Sequence, residues 1–359
     1  MEILSEIRNH VAILTLNRPA ALNALSLGMV LELRKALAVH AAEPSVRAVL
    51  LQGAGEKAFC AGGDIRALYE SFKGSGRVPR EFFEAEYPLD YWLYSYPKPH
   101  VVLMDGISMG AGMGLAQGSK LRIVGDRTRM AMPEVAIGFF PDVGGSYFLS
   151  RLAGALGMYL ALTGVQIRAA DALYSGLADI YLPAAASASL TEELADLNWS
   201  HDPAADLRQF IEARAASISA DPPLRALRPA IDRHFSHPTV LAILASLHAE
   251  TRSEFAEWAQ QTATLIRTRS PIMLAVSLRQ LQRSKDMSLA DCFRMELGMA
   301  QQCFEQGDFL EGVRALIVDK DNAPRWMPGR IEDVTDAMVD SFFRERWTAA
   351  DHPLASLSI

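Results

Sequence analysis

Short apolar runs alternate with longer, helically spaced segments over the first half of the chain. Val11–Leu16 (VAILTL) is a β-rich run closed by Asn17-Arg18-Pro19, and it predicts a strand. Leu27, Val30, Leu31, Leu33 and Leu37 recur at helical spacing and predict a helix over 25–42, with Ser26 as its N-cap. Arg47–Gln52 predicts a second strand that leads into a glycine-rich loop over 53–63. Helices are expected over 65–72 and 80–94, before Pro97 and Pro99 break the chain. Val101–Met104 is a third expected strand, and the loop Asp105–Gly110 opens a small-residue helix over 111–118. Leu121–Val124 is a fourth strand and Arg129–Met132 a short fifth. Strands that alternate with helices, each followed by a glycine-bearing loop, imply an α/β fold whose loops line one site.

From Ser146 onward the pattern is mainly helical, with helices expected over 250–266, from Ser270-Pro271 to Leu281, and over 289–304. Ala184–Ser189 is rich in Ala and Ser and reads as a connector. The expected organisation is a core over 1–185 followed by a mainly helical region over 186–359.

Charge and composition narrow the function classes. The 359 residues carry a net charge of −7 and no Lys/Arg cluster, which argues against a nucleic-acid partner. Cys60, Cys292 and Cys303 have no C-x-x-C spacing, as expected of reduced thiols in a cytosol-like compartment. The N-terminal residues lack a signal-peptide pattern, and no run of about 18 uncharged apolar residues predicts a membrane span. Cytoplasmic location is expected, or an organelle matrix if a targeting peptide has been removed. The eight histidines form no H-x-x-x-H pair, and no G-x-S-x-G, Walker or G-x-G-x-x-G pattern occurs, so no metal, serine nucleophile or nucleotide cofactor is expected.

Candidate chemistry concentrates in Met130–Leu149, MAMPEVAIGFFPDVGGSYFL. Glu134 and Asp142 each follow a proline in an otherwise almost wholly apolar segment, where an ionised carboxylate is costly. Acid/base or nucleophilic work is one reason to keep such a pair. The plain alternatives are an exposed Glu134 balanced by Arg127 or Arg129, and an Asp142 that caps the helix beginning near Gly144. Eight residues with an intervening proline do not share one helix face, so the pair converges only through a turn. The glycines of AFCAGGDIR (58–66) can aim backbone amides at a carbonyl oxygen, or simply make a strand-to-helix turn with Asp64 as N-cap. The glycines of GISMGAGMG (106–114) offer a second such amide, or close helix packing. Glu86, by spacing alone, reads as part of a solvated helix face.

Three segments, AFCAGGDIRALYE, MDGISMGAGMGLAQGS and MPEVAIGFFPDVGGSYFLSRLAG, together resemble the crotonase (enoyl-CoA hydratase/isomerase) superfamily. GFFPDVGG and the stretch SLADCFRMELGMAQQCFEQGDFLEGVRALIVDKDNAPRW are most similar to its 3-hydroxyisobutyryl-CoA hydrolases. The resemblance covers about residues 5–330. It implies a spiral of ββα units with a helical C-terminal region over the active site. It also implies an acyl-CoA substrate, no added cofactor (CoA being part of the substrate), and a possible homo-oligomer. By position, the amides of Gly63 and Ala111 are the implied oxyanion hole, and alanine at 111 keeps the N–H if its backbone angles accept a Cβ. Glu134 matches the glutamate shared with hydratases, whereas the hydratases' other glutamate falls at Gly114. Asp142 stands where hydratases commonly carry glycine, and Glu86 matches a substrate-contacting glutamate of the hydrolases. The implied reaction is hydrolysis of a short branched 3-hydroxyacyl-CoA, a step of valine catabolism, with Glu134 as nucleophile or general base. An enoyl-CoA hydratase or isomerase of the same superfamily is the first alternative. A non-catalytic RNA- or ligand-binding protein on this fold is the second.

Overall fold

The computed structural model describes residues 1–74 and 77–357; residues 75–76 of the expected core and 358–359 of the expected helical region lie outside it. The chain forms two compact units, and neither is a single stretch. Residues 1–64, 88–130 and 166–222 make the first, and 65–87, 131–165 and 223–359 the second.

The first unit holds the strands. β1 (Ile3–Arg8), β2 (Val11–Leu16), β3 (Ala48–Gly53), β5 (His100–Met104), β7 (Leu121–Val124) and β9 (Ile180–Tyr181) form one sheet in the order β1-β2-β3-β5-β7-β9. Only the β1–β2 pair is antiparallel; the other four pairings are parallel. A smaller sheet has the order β4-β6-β8, from β4 (Ala58–Cys60), β6 (Ile107–Met109) and β8 (Arg129–Ala131). Parallel strands need cover on both faces. Val11, Ile13, Ala48, Leu50, Val101, Leu103, Leu121 and Ile123, every second residue, supply one face of the core. The intervening Ala12, Leu14, Val49, Leu51, Val102 and Met104 are buried as well.

Residues 184–189, expected as a connector, instead open the helix Ala184–Glu193. Its Leu190 packs on the first sheet face together with Leu207 and Ile211 of the helix Pro203–Glu212. The chain therefore has a packed helix, not a linker, at the expected 185/186 boundary. β1, β4, β6 and β9 lie outside the expected strands. β1 is an edge strand with Leu4 and Ile7 exposed, and the others span two or three residues, too few for a period to register.

Expected helices recur with shifted ends: α1 (Leu27–Ala42), α2 (Ile65–Gly74), α3 (Arg77–Tyr94) and α4 (Ala111–Gln117). Ser26 caps α1 by accepting from Met29 N at 3.1 Å. α4 lies against β4, because a Cβ on Gly112 would stand 2.4 Å from the carbonyl oxygen of Cys60. The packing reading of that small-residue helix holds at this position.

The second unit is helical. It contains α2, the first part of α3, α5 (Gly145–Ser150), the helix Leu156–Thr163 and five longer C-terminal helices. Two of these matter below: Pro271–Ser284, capped by Ser270, and Leu289–Gln306, capped by Ser288. Among the described residues no helix is long and apolar enough to cross a membrane.

Gly112→Ala is expected to cost roughly 1–3 kcal/mol of stability, because the added methyl meets backbone rather than a movable side-chain end. A fall in the urea midpoint at unchanged slope is the expected result; an unchanged midpoint would contradict the close approach.

Candidate active site

The implied oxyanion amides belong to the first unit. Leu25 N donates to Gly62 O at 2.9 Å and Asp64 N donates to Leu25 O at 2.8 Å. Backbone groups alternate in direction along an extended segment, so the N–H of Gly63 points away from Leu25. Ala111 is the first residue of α4, where an N–H has no intrahelical acceptor. It is helical and carries no positive φ; the residue that needs glycine is Gly110, at φ +49°. The Asp64 carboxylate pairs with Arg18 at 2.9 Å.

The carboxylates belong to the second unit. Glu134 opens a 3₁₀ turn, Glu134–Ile137, that ends at Gly138 with φ +73°. A Cβ on Gly138 would lie 2.3 Å from the backbone of Asp308, so glycine is required there on two counts. Ser270 donates its N–H to Val135 O and its hydroxyl to Asp308 Oδ2 at 2.6 Å, tying the Glu134 turn to the C-terminal helices.

Asp142 sits at the head of a tight turn. Gly145 N donates to Asp142 O at 2.7 Å across Val143 (φ +52°) and Gly144 (φ +84°). Positive φ at both central positions makes this a primed turn, and a β-branched Val143 in the left-handed region costs about 1–3 kcal/mol. The helix cap is Gly144, with no side-chain cap bond, so the capping reading of Asp142 fails. Its carboxylate instead accepts a hydrogen bond from Tyr87 Oη at 2.8 Å.

Burial removes the other plain readings. Glu86, Glu134, Asp142 and Glu296 are 1%, 6%, 5% and 0% exposed. Arg127 pairs with Asp105 rather than with Glu134. The solvated-face reading of Glu86 is overturned: its part of α3 is interior. Aromatic residues flank these acids in sequence, and their rings pack on one another. Phe139 stacks on Phe83 and Phe140 with centroids 5.7 and 4.6 Å apart, and Tyr87 lies 5.7 Å from Phe293.

Desolvation therefore dominates the ionisation of the cluster. Burial, then the Asp142 charge, pushes the Glu134 carboxyl well above its usual range. Burial raises Asp142 to about 7 against the hydrogen bond from Tyr87, and raises Glu296 to about 8 against hydrogen bonds from Ser146 and Gly144. Glu134 Oε2 has no hydrogen-bond partner among the described residues. Tyr87 is itself held protonated by burial and by the acids near it. Such an arrangement can pass protons between carboxyl groups near neutrality and can present one carboxylate oxygen to an electrophile. Among the described residues no group of three or more His, Cys, Asp and Glu could hold a metal ion.

Sequence reasoning missed Tyr87, Gln280 and Glu296. The signal for Glu296 was present: with Leu289, Cys292, Phe293, Leu297, Ala300 and Cys303 it falls on the buried stripe of its helix, a carboxylate where the period demands an apolar residue. Gln280 stands in the same relation to Met273, Val276 and Leu281.

Residues 11–343 match the enoyl-CoA hydratase/isomerase family, and the chain belongs to it. The "3-hydroxyisobutyryl-CoA hydrolase, mitochondrial" of Xenopus tropicalis is 40% identical over 92% of this chain and 86% of its own length. The "Probable 3-hydroxyisobutyryl-CoA hydrolase 3" of Arabidopsis thaliana is 37% identical over 96% and 93%. A solved structure described as a carnitinyl-CoA dehydratase from Mycobacterium thermoresistibile superposes with a TM-score of 0.88 at 41% identity, over 96% of both chains.

Asp142 is a carboxyl whose folded pKa lies above its unfolded value of 3.8. Its contribution to stability is complete below about pH 4 and is lost as pH rises towards about 7. Asp142→Asn is therefore expected to flatten the fall in urea midpoint over that window relative to wild type. An equally steep fall in the variant would show that Asp142 does not carry it.

Proposed function

We propose that this protein hydrolyses a short branched 3-hydroxyacyl-CoA thioester, 3-hydroxyisobutyryl-CoA first among candidates, to the free acid and CoA. One observation carries the reading: Glu134 and Asp142 are buried together, one with an unpartnered oxygen and the other bonded to a tyrosine hydroxyl. The hydrolases among its relatives supply the substrate class.

The amides of Gly63 and Ala111 polarise the thioester carbonyl in this reading. Asp142, whose negative charge Tyr87 stabilises, takes the proton of Glu134. The Glu134 carboxylate then attacks the carbonyl carbon to form a mixed anhydride, or directs water to it as a general base. The C–S bond breaks, and the leaving thiolate takes the proton from Asp142. Water completes the balance, giving acid and thiol. Glu86 orients the acyl group or its hydroxyl. CoA enters as part of the substrate, so the reading needs no further cofactor. The vertebrate relatives are named as mitochondrial, and a matrix or cytoplasmic compartment fits the reading equally.

A lyase reading has its own support. Solved structures with TM-scores of 0.88 and 0.85 are described as a carnitinyl-CoA dehydratase and an enoyl-CoA hydratase. Against it, the position of the hydratases' other glutamate is Gly114, so hydration would lack its second acid/base group on α4.

Incubation with 3-hydroxyisobutyryl-CoA and with crotonyl-CoA separates the two: thiol release marks the hydrolase, and loss of enoyl absorbance without thiol marks the lyase. Glu134→Gln should retain acyl-CoA binding and lose thiol release by at least about 10²–10³-fold, the scale of losing one essential catalytic group. Turnover like wild type would remove Glu134 from the mechanism. Asp142→Gly should likewise abolish hydrolysis, and unaffected hydrolysis would take away the preference for thioester chemistry over hydration.

A further inference from the structure

Hydrogen bonds from two C-terminal helices bracket Asp142 on both sides. Glu296 Oε2 accepts from Gly144 N and Glu296 Oε1 accepts from Ser146 N, each at 2.9 Å. Gln280 Nε2 donates to Pro141 O at 2.6 Å and to Ser146 Oγ at 2.7 Å. We infer that Glu296 and Gln280 are positioning residues for turnover, which hold the Pro141–Ser146 turn in the strained form that sets Asp142.

The chemistry of the pair supports a purpose beyond packing. Both lie on the buried stripes of their helices, where an aliphatic side chain would serve a packing role without desolvation. Two N–H groups 150 and 152 residues away in the chain face Glu296, and a carboxyl group presents one oxygen to each, which neither an amide nor an aliphatic side chain does. The turn also requires restraint. Val143 has a left-handed backbone that its branched Cβ opposes, so an unclamped Pro141–Ser146 segment would relax and carry Asp142 with it. The Gln280 bond to Pro141 O fixes the residue before Asp142, and the Glu296 bond to Gly144 N fixes the second residue after it. The inference rests on the thioester-hydrolase reading and adds to it a role for the helices Pro271–Ser284 and Leu289–Gln306.

A double-mutant cycle on thiol release tests it, using the full chain and 3-hydroxyisobutyryl-CoA. Glu296→Gln keeps the shape of the side chain but turns one acceptor into a donor that faces an N–H. It should lower kcat by about 10–100-fold, the scale of a small misplacement of a reacting group, with KM changed less than about threefold. In an Asp142→Asn background the same substitution should cost less than about threefold further, because the group it positions is already gone. Val143→Gly, which removes the opposing Cβ, should restore part of the kcat lost in Glu296→Gln. Gln280→Met should reproduce the non-additive pattern at smaller amplitude, and it serves if Glu296→Gln does not fold.

Equal losses with and without Asp142, or kcat of Glu296→Gln within about twofold of wild type, would overturn the inference. Absence of thiol release from wild type would instead overturn the hydrolase reading. Amide exchange then decides the inference by itself: faster exchange at Gly144 and Ser146 in Glu296→Gln upholds the clamp, and unchanged rates there reject it.

Discussion

Keeping four carboxyl groups in an aromatic interior is the constraint on which the second unit depends. Among the described residues no cation forms an ion pair with Glu134, Asp142 or Glu296; hydroxyl and backbone N–H donors compensate Asp142 and Glu296. An isolated buried carboxylate is expensive, and the alternative to a counter-charge is retention of the proton. Directions of ionisation follow from that choice: Glu134, Asp142 and Glu296 all rise. A lysine or arginine in this place would stabilise the carboxylates and abolish their capacity to exchange protons near neutrality. What reads as poor electrostatics for folding is thus the property that suits the cluster to acyl chemistry.

The same constraint explains why the C-terminal helices engage the segment 131–165 so closely. A turn that holds an unneutralised carboxyl, with a branched residue in the left-handed region beside it, has one local backbone hydrogen bond to set against that cost, from Gly145 N to Asp142 O. Ser270 and Asp308 hold the Glu134 turn, and Gln280 and Glu296 hold the Asp142 turn. Gly138 and Gly312 let the backbone of the Glu134 turn approach that of Asp308 closely.

Much of this was legible in the chain before any coordinates. The strand at Val11–Leu16 and the helix after Ser26 follow from period and cap, and both stand within a residue or two. Glu134 and Asp142 drew attention because their neighbours are apolar, which is the physical reason they are buried. What stayed hidden is long-range or too short. A three-residue strand such as Ala58–Cys60 has no period to read, and Ala184–Glu193 owes its place to a sheet face that only tertiary structure supplies. Spacing alone puts Glu86 on a solvated face, because it shows which residues share a face but not which face is interior; the family resemblance reverses that reading. Tyr87 bonds to Asp142 across 55 residues, and Glu296 bonds to Gly144 and Ser146 across some 150, distances at which a single sequence carries no pairing signal.

That separation along the chain has a consequence for how the protein comes into being. Residues 131–149 leave the ribosome with their phenylalanines and two acids long before Ser270, Gln280 and Glu296 exist. At about 5–20 residues per second, the 150 residues between Ser146 and Glu296 take roughly 8–30 s to appear. Throughout that interval the segment of Glu134 and Asp142 is an apolar strip without its C-terminal partners. Its two acids stay solvated while they wait, and the last helices to arrive take that solvation away, which is what raises both of them.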